Sequence, residues 1–411
     1  MKLNSDQEAM LNGQRGKAHQ LAMAMLTAVG RAMDAPDLIP IASAHVVIDA
    51  FAMGKPGVDL IVSMAGSGAR FVVPSTINAI SYDRRVGPST GPSEFDLHQQ
   101  RVLEACQSMG AIATCSCNPF SQGITPAFGE HVAWSESATT GYVNSVIGAR
   151  SNREGATAIA SALTGVTPRY EMHDPDSRRA SVHYEIAFTP SDASEFNLLG
   201  SLIARRSGDR IPALSGLQHP SVDELFGFGA SFAIVANIPM FHFIGVTPEA
   251  PTLIVAFGGR TPPAPITITQ ADLDAERALY DLDSAVNVDL VTIGAPHATI
   301  HQINEVAKLL GTRQVKPGIE FTLTTNRSNY ALAESSGLLA SLVAAGVKVT
   351  ADKMCFGCDL GAHKYDGSAV LATNSVKAAI SAPGTRGVRT RYGTALQCVE
   401  AAVTGVWKNE V

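Results

Sequence analysis

Cys115 and Cys117 stand one residue apart in ATCSCNPF, and Cys355 and Cys358 form a Cys-x-x-Cys later in the chain. A disulfide between cysteines one residue apart is geometrically unfavourable, so the first pair reads as thiols. Thiolates are soft ligands suited to iron–sulfur or zinc centres. Buried cysteines can equally serve as small apolar fillers, and the residues alone leave the two readings evenly matched. Four such thiols would also close a structural zinc site, so zinc and iron both stay open. Cys106 and Cys398 fall on helical patterns and read as core.

Other residues have types suited to acid–base and carboxylate chemistry. His45, Thr76 and Asn78 lie in or after short apolar segments, and Glu130 and Glu136 follow the first cysteine pair. Carboxylates and neutral imidazoles move protons. NSVIGARSNREG, residues 144–155, gathers Asn144, Arg150, Asn152 and Arg153. Arginine forks suit carboxylates, although a solvated loop has the same composition and is the commoner case. Ser375 and Lys377 lie in TNSVKAA, where Ser375 also reads as a helix cap. Walker, dinucleotide, His-Glu-x-x-His and nucleophile-elbow motifs do not occur.

These residues need positioning elements. Apolar runs DLIVSMA, RFVVPST, PTLIVAFGG, VDLVTIGA and IEFTLTT read as strands alternating with helices, which predicts an α/β fold with mostly parallel sheets. Ser5 and Glu8 read as a capping box before a helix with Leu21, Met25, Ala28 and Val29 on its apolar face. Thr269 and Thr299 read as caps of later helices. Both cysteine pairs follow a helix, a glycine and a short strand, and Ala295-Pro296-His297 ends another strand. Ligands bind outside the carboxyl ends of such strands, so these three loops are expected to converge.

The 411 residues carry 45% hydrophobic and 17% charged residues with a net charge of −6, an ordinary globular mix without a basic stripe. Nucleic acid and anionic membrane are therefore poor partners. The start, MKLNSDQEAM, has no apolar signal region, and SFAIVANIPMFHFIGV is too short and too broken to span a membrane, which predicts a cytoplasmic chain.

LIPIASAHV, VPSTINAI, CNPF…GITPAFGEHVAWSESA, NSVIGARSNREG, FHFIGVTPEAPT, GAPHATI and TNSVKAA…GTALQCVEAAVTG occur in the order of the aconitase X family, and the chain resembles its large catalytic module from about Leu11 to Trp407. The resemblance implies an aconitase-superfamily-like fold, with several α/β lobes around a central cleft. The expected lobes are 1–195, 196–315 and 316–411. It implies an iron-dependent hydro-lyase acting on a small hydroxylated carboxylate, with an iron–sulfur cluster or mononuclear iron. Known family activities dehydrate cis-3-hydroxy-L-proline, the leading expectation, or mevalonate 5-phosphate; a non-catalytic metal-binding or regulatory member is the alternative. The family also uses a small swivel domain with a Gly-Ser-Ser loop. That loop is absent here, which implies a separate small subunit.

By motif, Cys117 matches the cysteine of the family's Cys-Thr-Pro-Tyr, and Cys355 lies close to that of its Asp-Thr-Cys. Ala295 replaces a third cysteine found in Gly-Cys-Pro-His, so Cys358, or alternatively Cys115, is expected to replace it. Phe120, Val376 and Ser381 also depart from the family pattern. His45, Glu136, Arg150 and Arg153 are the expected catalytic set. Ser43, Thr76, Asn78, Ser137, Asn144, Asn152, Ser375 and Lys377 are expected to line the substrate site.

Overall fold

Four sheets organise the computed structural model, which describes residues 1–87, 94–217, 219–236, 238–281, 287–356 and 364–409. Strands β1 (Leu38–Pro40), β2 (Ser43–Val46), β3 (Ser75–Ile77), β4 (Val132–Trp134) and β5 (Val166–Pro168) belong to the first domain. β3, β2 and β4 form a parallel sheet in that order, and β1 pairs antiparallel with β5. Strand alternation decides which residues can do chemistry here. Ala44 and Val46 join the core with Leu26, Ile61 and Ile77, which turns Ser43 and His45 to the opposite face.

The second domain is a parallel sheet of β6 (Val182–Ile186), β7 (Pro212–Ser215), β8 (His242–Phe243) and β9 (Ile266–Ile268), in the order β8-β7-β6-β9. Phe228 stacks with Phe232 and packs edge-on against Phe241 and against Phe243 of β8. The third domain holds β10 (Leu290–Ala298), β11 (Glu320–Thr325), β12 (Val347–Ala351), β13 (Val370–Thr373) and β14 (Arg389–Tyr392). They run parallel in the order β12-β11-β10-β13-β14. β10 is central and buried throughout, and its register against β11 shifts between Ile293 and Ala298. Gly294 begins that shift at φ 103°, and a Cβ there would lie 2.0 Å from the Thr324 carbonyl oxygen. Only glycine lets the chain leave the ladder at this point. The departing residues are Ala295, Pro296 and His297.

Several sequence expectations are corrected. Residue 195 falls inside the helix Ala193–Ser207, and β6 before it pairs with β7 and β9. Residue 315 likewise falls between β10 and its partner β11. Breaks that keep sheets whole lie between β5 and β6 and between β9 and β10. DLIVSMA belongs to the helix Ala50–Gly66, and PTLIVAFGG contains the short helix Leu253–Ala256, because short apolar runs do not distinguish helix from strand by periodicity. The first helix is capped by Asn4 with Gln7, not by Ser5 with Glu8. The next helix, Lys17–Ala32, buries Ala22, Met23 and Leu26, while Leu21 and Ala28 face out. Thr269 and Thr299 do form capping boxes. No helix among the described residues is long and apolar enough to cross a membrane.

Candidate active site

His45, near the end of β2, is fully buried, and its ring lies against Trp134 with centroids 4.6 Å apart. Nδ1 is 2.8 Å from Oγ1 of Thr76 on the neighbouring strand, while Nε2 has no hydrogen-bond partner. Burial pushes the imidazole pKa down to about 4, against the opposing pull of Glu136 and Asn78. His45 is therefore neutral near pH 7.

Glu136 follows β4 and caps the helix Ser137–Tyr142, accepting the Ala138 N–H at 3.2 Å. Asn78, just after β3, donates its Nδ2 to Oε2, and Lys377 Nζ lies 3.3 Å from Oε1. Burial works to raise this carboxyl, but Lys377, His45 and the Ala138 N–H together hold it below the ordinary glutamate range. Lys377 sits in the first turn of the helix Val376–Arg386. The N-cap of that helix, Ser375, donates to the Ala295 carbonyl, so the cap also ties the helix to the β10 departure. One buried locus thus joins the carboxyl ends of the first-domain sheet to the start of a third-domain helix.

The thiols meet the same departure from β10. The His297 N–H points at Cys117 Sγ at 3.3 Å, and Cys355 packs with Ala295 and Ala378. Thr139 Oγ1 donates to the Cys117 carbonyl at 3.0 Å and accepts from Trp134 Nε1 at 2.8 Å, linking the cysteine loop to the His45 platform. Cys115 faces the first-domain core, and burial pushes its thiol up to about 12, with Asp352 adding to the rise. Cys358 lies outside the described residues. Among the described residues no three His, Cys, Asp or Glu converge as metal ligands. Two of the expected thiols, Cys117 and Cys355, flank the β10 departure, and the described residues do not supply the three of a three-cysteine cluster.

The predicted arginine clamp is divided. Residues 150–153 run beside β4, with Arg150 opposite His131 and Arg153 opposite Trp134. At a strand rise of roughly 3.3 Å per residue the two backbone positions lie about 10 Å apart. Arg153 is on the Glu136 side, its Nη2 held by the carbonyls of Ala233 at 2.5 Å and Ala236 at 2.8 Å, with Nε unpartnered. Arg150 is at the other end, near His131.

Asn144 and Asn152 are corrected to scaffold. Asn144 donates to the carbonyls of Ser151 (2.7 Å) and Pro239 (2.9 Å) and accepts from Ser151 N–H and Arg178. Asn152 donates to Tyr170 O and accepts from Met172 N–H. The amides are spent on backbone groups that must be paired when buried. Segment 144–155 is therefore neither a solvated loop nor, as a whole, a clamp. Ser137 is exposed. Ser43 lines a cavity of ≈ 310 Å³ with Thr76, Glu130 and Trp134, on the His45 face of the sheet. Sequence reasoning missed Trp134 and Asn118 as site-shaping groups, although both lie in the segment that follows the first cysteine pair.

Comparison with known proteins follows the same three-part division. Models of the first, second and third domains of aconitase X match residues 1–175, 179–278 and 288–404. The chain is 36% identical to a cis-3-hydroxy-L-proline dehydratase of Pseudomonas aeruginosa, over 98% of this chain and 70% of the relative. It is 33% identical to a phosphomevalonate dehydratase large subunit of Methanothermobacter thermautotrophicus, over 95% of this chain and 96% of the relative. The solved structure of aconitase X from Thermococcus kodakaraensis in its holo-form superposes with a TM-score of 0.85 at 29% identity, covering 98% of this chain and all of the other.

Proposed function

This chain belongs to the aconitase X family of hydro-lyases, and on that premise we propose that it dehydrates a small hydroxylated carboxylate, with cis-3-hydroxy-L-proline the leading substrate. The observation that carries the reading is a buried, ionised Glu136 beside a neutral His45 whose Nε2 has no partner. Loss of water from a β-hydroxy acid requires removal of the proton next to the carboxylate and departure of the hydroxyl. Glu136 takes that proton, with Asn78 and Lys377 orienting its oxygens. Arg153 and Lys377 hold the substrate carboxylate and the charge that develops on it. His45 Nε2 makes a polar contact with the substrate, and Thr76 holds the ring. Cys117 and Cys355, with Cys358 as the further candidate, hold the iron centre, cluster or mononuclear, which when bound supplies a Lewis acid for the leaving hydroxyl.

Relatives named as large subunits align over nearly their full length. By the same reading, this chain works with a small subunit carrying a Gly-Ser-Ser loop. That alignment also favours the second reading, mevalonate 5-phosphate as substrate. The test is product formation by anaerobically purified chain from each substrate, with and without such a subunit. Turnover of cis-3-hydroxy-L-proline supports the first reading, turnover of mevalonate 5-phosphate alone moves the substrate to the second, and turnover of neither refutes both.

A further inference from the structure

His297 is fully buried, and its contacts run to the two loops that carry Cys117 and Cys355. Its backbone N–H reaches Cys117 Sγ at 3.3 Å, and its carbonyl accepts from Asn118 Nδ2 at 3.2 Å. Its ring Nδ1 lies 3.2 Å from Ser116 Oγ, and its Nε2 lies 2.7 Å from the Lys353 carbonyl. A carbonyl only accepts, so the ring is the Nε2–H tautomer. Ser116 and Asn118 belong to the first domain, while Lys353 begins the turn into Cys355 in the third. That turn is fixed from the first domain by paired backbone bonds, Ile80 N–H to Asp352 O at 2.9 Å and Met354 N–H to Ile80 O at 2.7 Å. On the other side His297 holds it, brought within reach by the departure of β10 at Gly294.

We propose that His297 is a positioning residue: its imidazole is a strut that sets the separation and orientation of the Cys117 loop and the Cys355 turn across the boundary between the first and third domains. The proposal rests on the reading of these thiols as one metal-holding pair. Without the ring, the Lys353 carbonyl loses the His297 donor, and the turn, still paired to Ile80, loses its tie to the Cys117 loop. A glutamine restores an N–H donor at similar reach, whereas alanine does not.

Two measurements on the metal-free chain test this. In the first, nitrogen NMR of histidine-labelled chain is expected to show His297 with a protonated Nε2 and a bare Nδ1. In the second, Cd²⁺ is titrated and followed by thiolate-to-metal absorption in the ultraviolet. His297→Ala is expected to weaken Cd²⁺ binding by about 10- to 100-fold, the usual effect of removing a group that orients a ligand, and His297→Gln to recover most of it. An Nδ1–H tautomer overturns the strut. So does a folded His297→Ala chain that binds Cd²⁺ within twofold of the parent, or a folded glutamine variant no better than alanine. If the alanine variant does not fold, the glutamine variant and the tautomer decide. If the parent gives no Cys117-dependent signal, as judged against Cys117→Ser, the metal reading fails, and the tautomer alone decides the strut.

Discussion

Replacing Lys377 by methionine should convert Glu136 from a group that stabilises the fold at neutral pH into one that destabilises it. The Nζ–Oε1 separation of 3.3 Å corresponds to about 5 kcal/mol of attraction at an effective dielectric near 20. Both side chains are largely buried, so solvent does little to replace the lost partner. The variant has an escape, which is to protonate Glu136. From an ordinary value near 4.5, that costs about 3 kcal/mol at pH 7 and about 1.4 kcal/mol more per further pH unit. The smaller figure sets the loss, so the deficit at pH 7 should be about 3 kcal/mol or somewhat less.

The sign of the pH dependence separates this account from simple packing loss. In the parent the Glu136 carboxyl is depressed, so its contribution is present above the ordinary value and is lost as pH falls through the folded value. In the variant burial dominates and the carboxyl is raised, so its contribution is greatest at low pH and is lost as pH rises. Urea unfolding of both chains from pH 5 to pH 8 measures the difference directly. The gap should be small at pH 5 and widen steadily towards pH 8. A gap that stays constant over this range would refute the claim that Lys377 keeps Glu136 ionised.

Glu136→Gln should lower turnover by about 10²- to 10⁴-fold with the fold retained, and more than a tenth of parental turnover would exclude Glu136 as the base. Arg153→Lys should raise KM about tenfold or more through loss of fork geometry, while Arg150→Lys stays within twofold; equal effects would contradict the division of the pair. Gly294→Ala should destabilise by at least about 3 kcal/mol, read from unfolding midpoints, because its Cβ meets the Thr324 carbonyl at a positive φ. Acid should destabilise the parent through His45, whose folded value of about 4 lies below the ordinary 6.5. The unfolded chain takes up the proton first as pH falls from 6.5 to 4, costing about 3 kcal/mol. His45→Gln should lack that part of the acid slope, and an unchanged slope would show that the ring is not held neutral by burial.

Local signals were legible where the physics is local. Thr269 and Thr299 announce helix starts because a capping side chain bonds a backbone N–H only three residues away. VDLVTIGA and IEFTLTT read correctly as strands, while DLIVSMA did not, because an apolar run of seven fits either a buried strand or one face of a helix. The ordered motifs pointed to the aconitase X family. The sequence also placed three chemically active loops at strand ends, and Cys117, His297 and Cys355 do meet around one departure from β10.

Tertiary structure decided which polar residues are free to react. Asn144, Asn152 and Arg153 look equivalent in NSVIGARSNREG, yet the two amides are consumed by buried backbone groups while Arg153 keeps an unpartnered Nε. Arg150 and Arg153 are near neighbours in sequence, but extended backbone separates them to opposite ends of the segment. The Glu136–Lys377 pair joins residues 241 positions apart, and no local pattern encodes it. Composition and spacing determine what a segment can become; hydrogen-bond demand and charge pairing in the buried interior determine which of its groups are left over for chemistry.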